Sequence, residues 1–144
     1  MKKFLVIAAC TLASMAAQAY DFDGIDLNGR VIDISKQLAH KGYIYDAETG
    51  RLSSNGGGQT TYITLEYDRV TQAGRLGRFI VDMPMSDPSA PQVVATTFAV
   101  LYGALPSQPD KPKYQVAADG TTATIQPTDN GVRIVYTTPY YEGD

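Results

Sequence analysis

The sequence predicts an α+β protein, built as a two-layer sandwich with two short helices on one face of an antiparallel sheet. Two segments carry apolar residues at helical spacing, and the others read as short β-rich runs separated by Gly, Asn and Asp turns. Sequential strands joined by tight turns form antiparallel meanders. Helices that each present one apolar stripe then bury it against one face of such a sheet.

The first nineteen residues are typical of a secretory signal peptide. Two lysines precede an apolar run over residues 4–17, and Ala-Gln-Ala at residues 17–19 fits the small-x-small pattern of a cleavage site. We therefore expect cleavage after Ala19 and export to the periplasm. Residues 20–144 then form a single α+β domain.

Cleavage at this point changes the charge and the redox chemistry of the chain. The whole chain has 144 residues, with 12 Lys+Arg against 15 Asp+Glu. The leader removes two lysines and Cys10, so the mature 125 residues have a net charge of −5 and no disulfide. An alternative places Cys10 in a lipoprotein box, where it would be lipidated. An acidic surface argues against nucleic acid as a partner, and no membrane span is expected after processing.

The first half of the mature chain is expected to form one helix followed by three strands. The helix spans residues 30–41, with Asn28 as N-cap and Gly42 as the left-handed residue that ends it. Residues 51–54 either continue the first strand or pair with it. The strands are expected at residues 43–45, 60–68 and 78–83.

The second half repeats this order. A capping box formed by Ser89 and Gln92 begins a helix over residues 90–102, and Gly103 ends it. The pair Asn130-Gly131 is preferred in tight hairpins and predicts the last turn. The strands are expected at residues 113–117, 121–126 and 132–138.

Short similar strings suggest that the two halves are a tandem α-β-β-β repeat. Residues 60–64 resemble residues 121–125, and residues 78–81 resemble residues 133–136. Strings of this length also match by chance, so duplication and coincidence both stay open.

The repeated helix-Gly-three-strand plan resembles small exported bacterial proteins of the β-lactamase-inhibitor-protein type. The residues that carry the resemblance are Phe22-Asp23-Gly24-Ile25 before the first helix and Leu101-Tyr102-Gly103 at the end of the second. Proteins of the SmpA/OmlA outer-membrane assembly family share the plan. The resemblance implies architecture only, because no motif is matched residue by residue. The mature chain also lacks the cysteines of the inhibitor's disulfide-bearing pattern.

The mature chain lacks the side chains that most catalytic sites use. His40 is the only histidine and is expected in the last helical turn, where the helix dipole stabilises a cationic imidazole. No cysteine nucleophile remains after processing, and no serine lies in a G-x-S-x-G motif. Glu66 is expected to be solvated on the polar face of its strand. We therefore expect no catalytic residue and no cofactor.

Acidic residues near the mature N-terminus suggest calcium at first sight, since Ca²⁺ prefers oxygen ligands. Asp21, Asp23 and Asp26 lie within six positions of one another. The EF-hand pattern fails at its fifth, sixth and twelfth positions when counted from Asp21. We interpret the segment as turns and a helix cap with no metal site, and adventitious calcium binding is the alternative.

Two segments are candidates for binding a partner protein. Tyr140 and Tyr141 place two aromatic rings near the C-terminus, and tyrosine is enriched in interfaces. Folding back onto the sheet is the competing interpretation for these rings. The second candidate is a glycine-rich hairpin loop, formed by Asn55, Gly56, Gly57 and Gly58.

Together these features predict a non-catalytic periplasmic protein that binds another periplasmic or secreted protein, as an inhibitor or an immunity factor. One alternative is an accessory protein of envelope assembly. The other is a small hydrolase that uses Asp and Glu alone.

Overall fold

The structure, a computed structural model, describes residues 20–67, 74–103 and 113–141. The first part contains the hairpin β1 (Asp21–Phe22) and β2 (Ile25–Asp26), then α1 (Val31–His40), β3 (Ile44–Asp46), β4 (Arg51–Ser54) and β5 (Thr61–Tyr67). The second part contains β6 (Leu76–Pro84) and α2 (Ala90–Tyr102). The third contains β7 (Lys113–Gln115), β8 (Thr122–Thr128) and β9 (Gly131–Thr137). The expected leader lies outside the described residues.

Seven strands form one antiparallel sheet in the order β3-β4-β5-β6-β9-β8-β7. The long strands β6 and β9 pair at its centre, from Arg78 opposite Thr137 to Pro84 opposite Gly131. The protein is therefore mixed α+β, as its sequence predicts, and mostly sheet. Of the two alternatives for residues 51–54, pairing is confirmed: Gly50 turns the chain (φ +73°) and β4 pairs with β3, so the first half has four strands in this sheet rather than the expected three.

The core lies on one side of this sheet. Phe79, Val81 and Met83 alternate along β6 and are buried, as period-two strands require. The Phe98 ring of α2 lies 5.8 Å from the Tyr114 ring and 6.5 Å from the Tyr136 ring. The buried stripe of α1 consists of Val31, Ile34 and Leu38, the residues whose spacing predicts the helix.

Tyr20 and Tyr136 form the aromatic centre of the core. Their rings stack with centroids 4.5 Å apart, and their hydroxyls hydrogen-bond at 3.1 Å. Both side chains are only 1% exposed. Burial raises the pKa of Tyr136 well above its ordinary value of 10.0, and the neighbouring Tyr20 raises it further.

This buried tyrosine should make the protein lose stability at alkaline pH. The Tyr136 hydroxyl ionises near pH 10 in the unfolded chain but keeps its proton to higher pH in the folded chain. The unfolded state therefore binds fewer protons above that pH, and the free energy of unfolding falls as the pH rises. Urea unfolding measured from about pH 8 to pH 11 checks this. Tyr136→Phe should give a shallower decrease, and an unchanged slope would contradict the assignment.

The helix starts differ from the expected caps. Asn28 is not the N-cap of α1: Arg30 is, without a side-chain cap, and the Asn28 amide oxygen instead accepts a hydrogen bond from Arg75. Ser89 is the N-cap of α2, but its hydroxyl donates to Asp87 at 2.8 Å, so the expected capping box does not form. The bounds of α2, the positive φ of Gly42 and the end of α2 at Gly103 are confirmed.

Two turns also differ from expectation. Asp23 and Gly24, both with positive φ, join β1 to β2 in a hairpin, whereas the sequence predicts turns without strands in this segment. In the last hairpin Thr128 pairs with Gly131, so Asp129 and Asn130 form the loop and Gly131 already belongs to β9.

Of the two pairs of strings that suggested a repeat, one is out of step by one residue, whereas residues 78–81 and 133–136 are in step: Phe79 and Ile134 are both buried. Residues 60–64 and 121–125 align Ile63 with Thr124. Ile63 is buried, whereas Thr124 is half-exposed and follows the buried Ala123. A duplication would therefore need a one-residue shift between these two segments, because such a shift exchanges the faces of a strand.

Candidate functional site

The side of the sheet that faces away from the core carries long polar side chains. We call this surface the open face. Cross-strand pairing places its residues in rows, since residues directly opposite each other share one face of the sheet. Its central rows are Tyr62-Asp82-Arg133, Thr64-Ile80-Val135 and Glu66-Arg78-Thr137, flanked by Arg51 and Ser53 on β4 and by Thr122, Thr124 and Gln126 on β8.

Two arginines of the open face each bind a carboxylate on the next strand. Arg78 Nε donates to Glu66 Oε1 at 2.6 Å, and Arg133 Nε donates to Asp82 Oδ1 at 2.7 Å. Glu66 is therefore not simply solvated, because Arg78 lies directly opposite it. Exposed pairs of this kind contribute roughly 0.2–1 kcal/mol to stability, so their main effect is to orient the arginines.

Three tyrosine rings lie under guanidinium groups. The Arg51 Cζ atom is 4.2 Å from the Tyr62 ring centroid. The Arg75 Cζ atom lies 3.9 Å from the centroid of the Tyr140 ring, and the Arg78 Cζ atom lies 4.6 Å from the centroid of the Tyr141 ring. A cation held over an aromatic face is attracted by roughly 0.5–1 kcal/mol at exposed sites, so these contacts also restrict the arginine side chains.

The two tyrosines near the C-terminus fold back onto the start of β6 and are half-buried. The Thr138 hydroxyl donates to the Leu76 carbonyl at 2.8 Å, and the Tyr141 N–H donates to the Thr138 carbonyl at 3.2 Å. A Cβ on Gly77 would lie 2.7 Å from Tyr141 Cδ1, so a glycine is needed for this close approach. The last residues, 142–144, lie outside the described part.

The glycine-rich loop forms one short 3₁₀ turn, Gly56–Gly58, between β4 and β5. Its hydrogen bonds are local: the Thr60 hydroxyl donates to Asn55 Oδ1 at 2.8 Å, and the Gly58 N–H donates to the Asn55 carbonyl at 3.2 Å. Gln59 Nε2 then donates to the Pro84 carbonyl at 3.0 Å and ties the loop to the end of β6.

The structure does not bring the two predicted segments together. The tail contacts Leu76 and Gly77 at the start of β6, whereas the loop is tied to Pro84 at its end. The open face extends between them. Sequence analysis missed its arginines and Asp82, although their alternation with buried residues along β6 and β9 was a usable signal.

The aspartates near the mature N-terminus belong to the first hairpin. Asp21 and Asp26 are cross-strand partners, and Asp23 lies in the turn between them. The Asp26 carboxylate accepts the Asn28 N–H at 2.8 Å. Across the three described ranges, no group of three or more His, Cys, Asp or Glu side chains is arranged to hold a metal ion.

A cavity of about 320 Å³ lies between α1 and the strands β4 and β5. Leu52 and Leu65 line it together with Tyr45 and Tyr67. The Tyr45 and Tyr67 side chains are 63% and 60% exposed. The strand β3 that carries Tyr45 is exposed throughout because it forms an edge of the sheet.

Among the described residues, no helix is long and apolar enough to cross a membrane. No protein-family model, no curated protein and no solved structure matches this chain. The functional interpretation therefore depends on the open face itself.

Proposed function

We propose that this protein binds another protein through the open face and performs no catalysis. The observation that supports this is the set of arginine and tyrosine side chains held in place on that face by the ion pairs and ring contacts described above. Arginine and tyrosine are enriched at the centres of protein interfaces. Side chains that are already oriented lose less conformational entropy on binding.

The layered arrangement supports the same proposal. We infer that α1 and α2 form one layer over the sheet, as two related α-β units, so that the opposite side stays available to a partner. The outward residues of β5, β6 and β9 are mostly half-exposed, which is consistent with this role. The segment Tyr140–Tyr141 borders one end of this surface, and the loop Asn55–Gly58 borders the other.

The expected leader supports a partner in the same compartment. With cleavage after Ala19, the mature chain begins at Tyr20, whose ring is packed in the core. The proposed partner is a periplasmic or secreted protein, and the proposed action is that of an inhibitor or immunity factor. The mass of the exported protein tests the cleavage site directly.

Lysine substitutions on the open face test the proposed surface. Thr64→Lys and Thr124→Lys place bulky charges beside Ile80 and Val135, in the middle row of the face. The double variant should bind the partner that copurifies with the wild-type protein from periplasmic extract at least about tenfold more weakly, the equivalent of roughly 1.4 kcal/mol.

Thr96→Lys is the matched control, because Thr96 is exposed on α2 and the change is chemically identical. This variant should retain the affinity of the wild type. Three results would contradict the proposal: no partner at near-stoichiometric amounts, equal losses in both variants, or turnover of a substrate by the purified protein.

A further inference from the structure

A cleft of about 220 Å³ lies at the end of the open face nearest the glycine-rich loop. Its lining crosses four neighbouring strands, with Arg51 on β4, Tyr62 on β5, Asp82 on β6 and Arg133 on β9. The strand ends close it through Pro84, Thr128 and Asn130. Two guanidinium groups therefore face one polar recess.

Among the described residues, no carboxylate forms an ion pair with Arg51, which lines this recess. In residues 20–67, 74–103 and 113–141, the ion pairs are those of Arg78 with Glu66 and of Arg133 with Asp82. Asp46 is the cross-strand neighbour of Arg51, but its Oδ1 accepts the Glu48 N–H at 2.9 Å. The Tyr62 ring holds the Arg51 guanidinium in place from one side.

Arg133 also has hydrogen-bonding capacity left. It binds Asp82 through Nε, and its side chain is 43% exposed. A guanidinium carries five N–H donors, so one contact at Nε leaves its terminal nitrogens for another acceptor. Of the residues that line the cleft, Arg51, Arg133 and Asp82 carry charge, which gives the lining an excess of one positive charge; the Asp46 carboxylate, opposite Arg51 on β3, lies outside this lining.

We propose that this cleft binds the carboxylate of an aspartate or glutamate side chain of the partner protein; this rests on the function proposed above. A carboxylate matches the planar fork of a guanidinium and carries one negative charge. That charge balances the excess in the cleft. A phosphate dianion would overcompensate that excess and leave a net charge of −1 in the cleft.

The probe is N-acetyl-glutamate with a blocked C-terminus, titrated into the full mature protein while the arginine Nε–Hε signals are followed by NMR. The Arg51 and Arg133 signals should shift and saturate together. Arg51→Gln should weaken binding of the probe by about tenfold or more, since the charge-assisted hydrogen bonds of this guanidinium are lost. Lys36→Gln is the matched control: it removes one exposed cation from α1 and should leave the affinity unchanged.

Two further ligands complete the test. The glutamine analogue of the probe should give no saturable shift, and inorganic phosphate should bind more weakly than the carboxylate. The inference is overturned if the wild type shows no saturable shift, if the glutamine analogue binds equally well, or if phosphate binds more tightly. The two experiments are independent because the partner is absent from this one. The probe can fail to bind while Thr64→Lys and Thr124→Lys still weaken partner binding, and the probe can bind while these substitutions have no effect.

Discussion

Replacing Gly131 by alanine should destabilise the protein by about 3 kcal/mol or more, at or above the upper end of the usual range for overpacking. Gly131 is opposite Pro84 where β9 meets β6. An added Cβ would overlap the carbonyl oxygen of Met83 and would lie 2.8 Å from the Met85 nitrogen. These are backbone atoms of the central strand pair, so no side-chain rotation relieves the clash. Urea unfolding measures the loss.

Gly29→Ala is the matched control for this substitution. A Cβ on Gly29 would come no closer than 4.0 Å to another atom, and its φ is not in the left-handed region. We expect a change within about 0.5 kcal/mol there. Equal stability of the Gly131→Ala protein and the wild type would show that β9 does not approach β6 as described.

Replacing Phe79 by alanine should cost about 3–5 kcal/mol, the usual range for removing a buried phenylalanine. Its side chain is fully buried at the centre of β6. The ring lies 4.8 Å from the Phe22 ring and 6.2 Å from the Tyr136 ring. Removing it therefore leaves a cavity between the first hairpin and the sheet. The free energy of unfolding from urea titration checks the magnitude.

Ile80→Ala provides the comparison on the other side of the same strand. Ile80 belongs to the open face and is half-exposed, so its truncation removes less buried surface and should cost clearly less than the Phe79 substitution. A larger loss at Ile80 would mean that the two faces of β6 have been assigned the wrong way round.

Local sequence patterns predicted the helices and strands in which apolar residues recur at a regular spacing. The spacing of Val94 and Phe98 with a closing glycine gave α2 its bounds, and strict alternation identified β5. Helix caps were predicted less well. The Asn28 amide oxygen accepts a hydrogen bond from Arg75, and the Ser89 hydroxyl donates to Asp87, so neither side chain forms the expected cap.

The candidate site was largely hidden from sequence reasoning. The cleft is lined by Arg51 on β4 and Arg133 on β9, two strands that lie far apart in the chain. Asp82 pairs with Arg133 across 51 positions. Tyr140 and Tyr141 and the glycine-rich loop were identified as candidates, but the sequence does not show that they lie at opposite ends of the open face.

By itself the sequence determined the α+β class, the apolar stripes of both helices and the glycines that end them, because each depends on residues a few positions apart. Only the tertiary structure decided the pairing of β6 with β9, the clash-free approach that Gly131 permits and the grouping of arginines in one cleft. The register between distant strands is set by the need to bury the apolar faces of all strands together. No short stretch of the chain specifies that register.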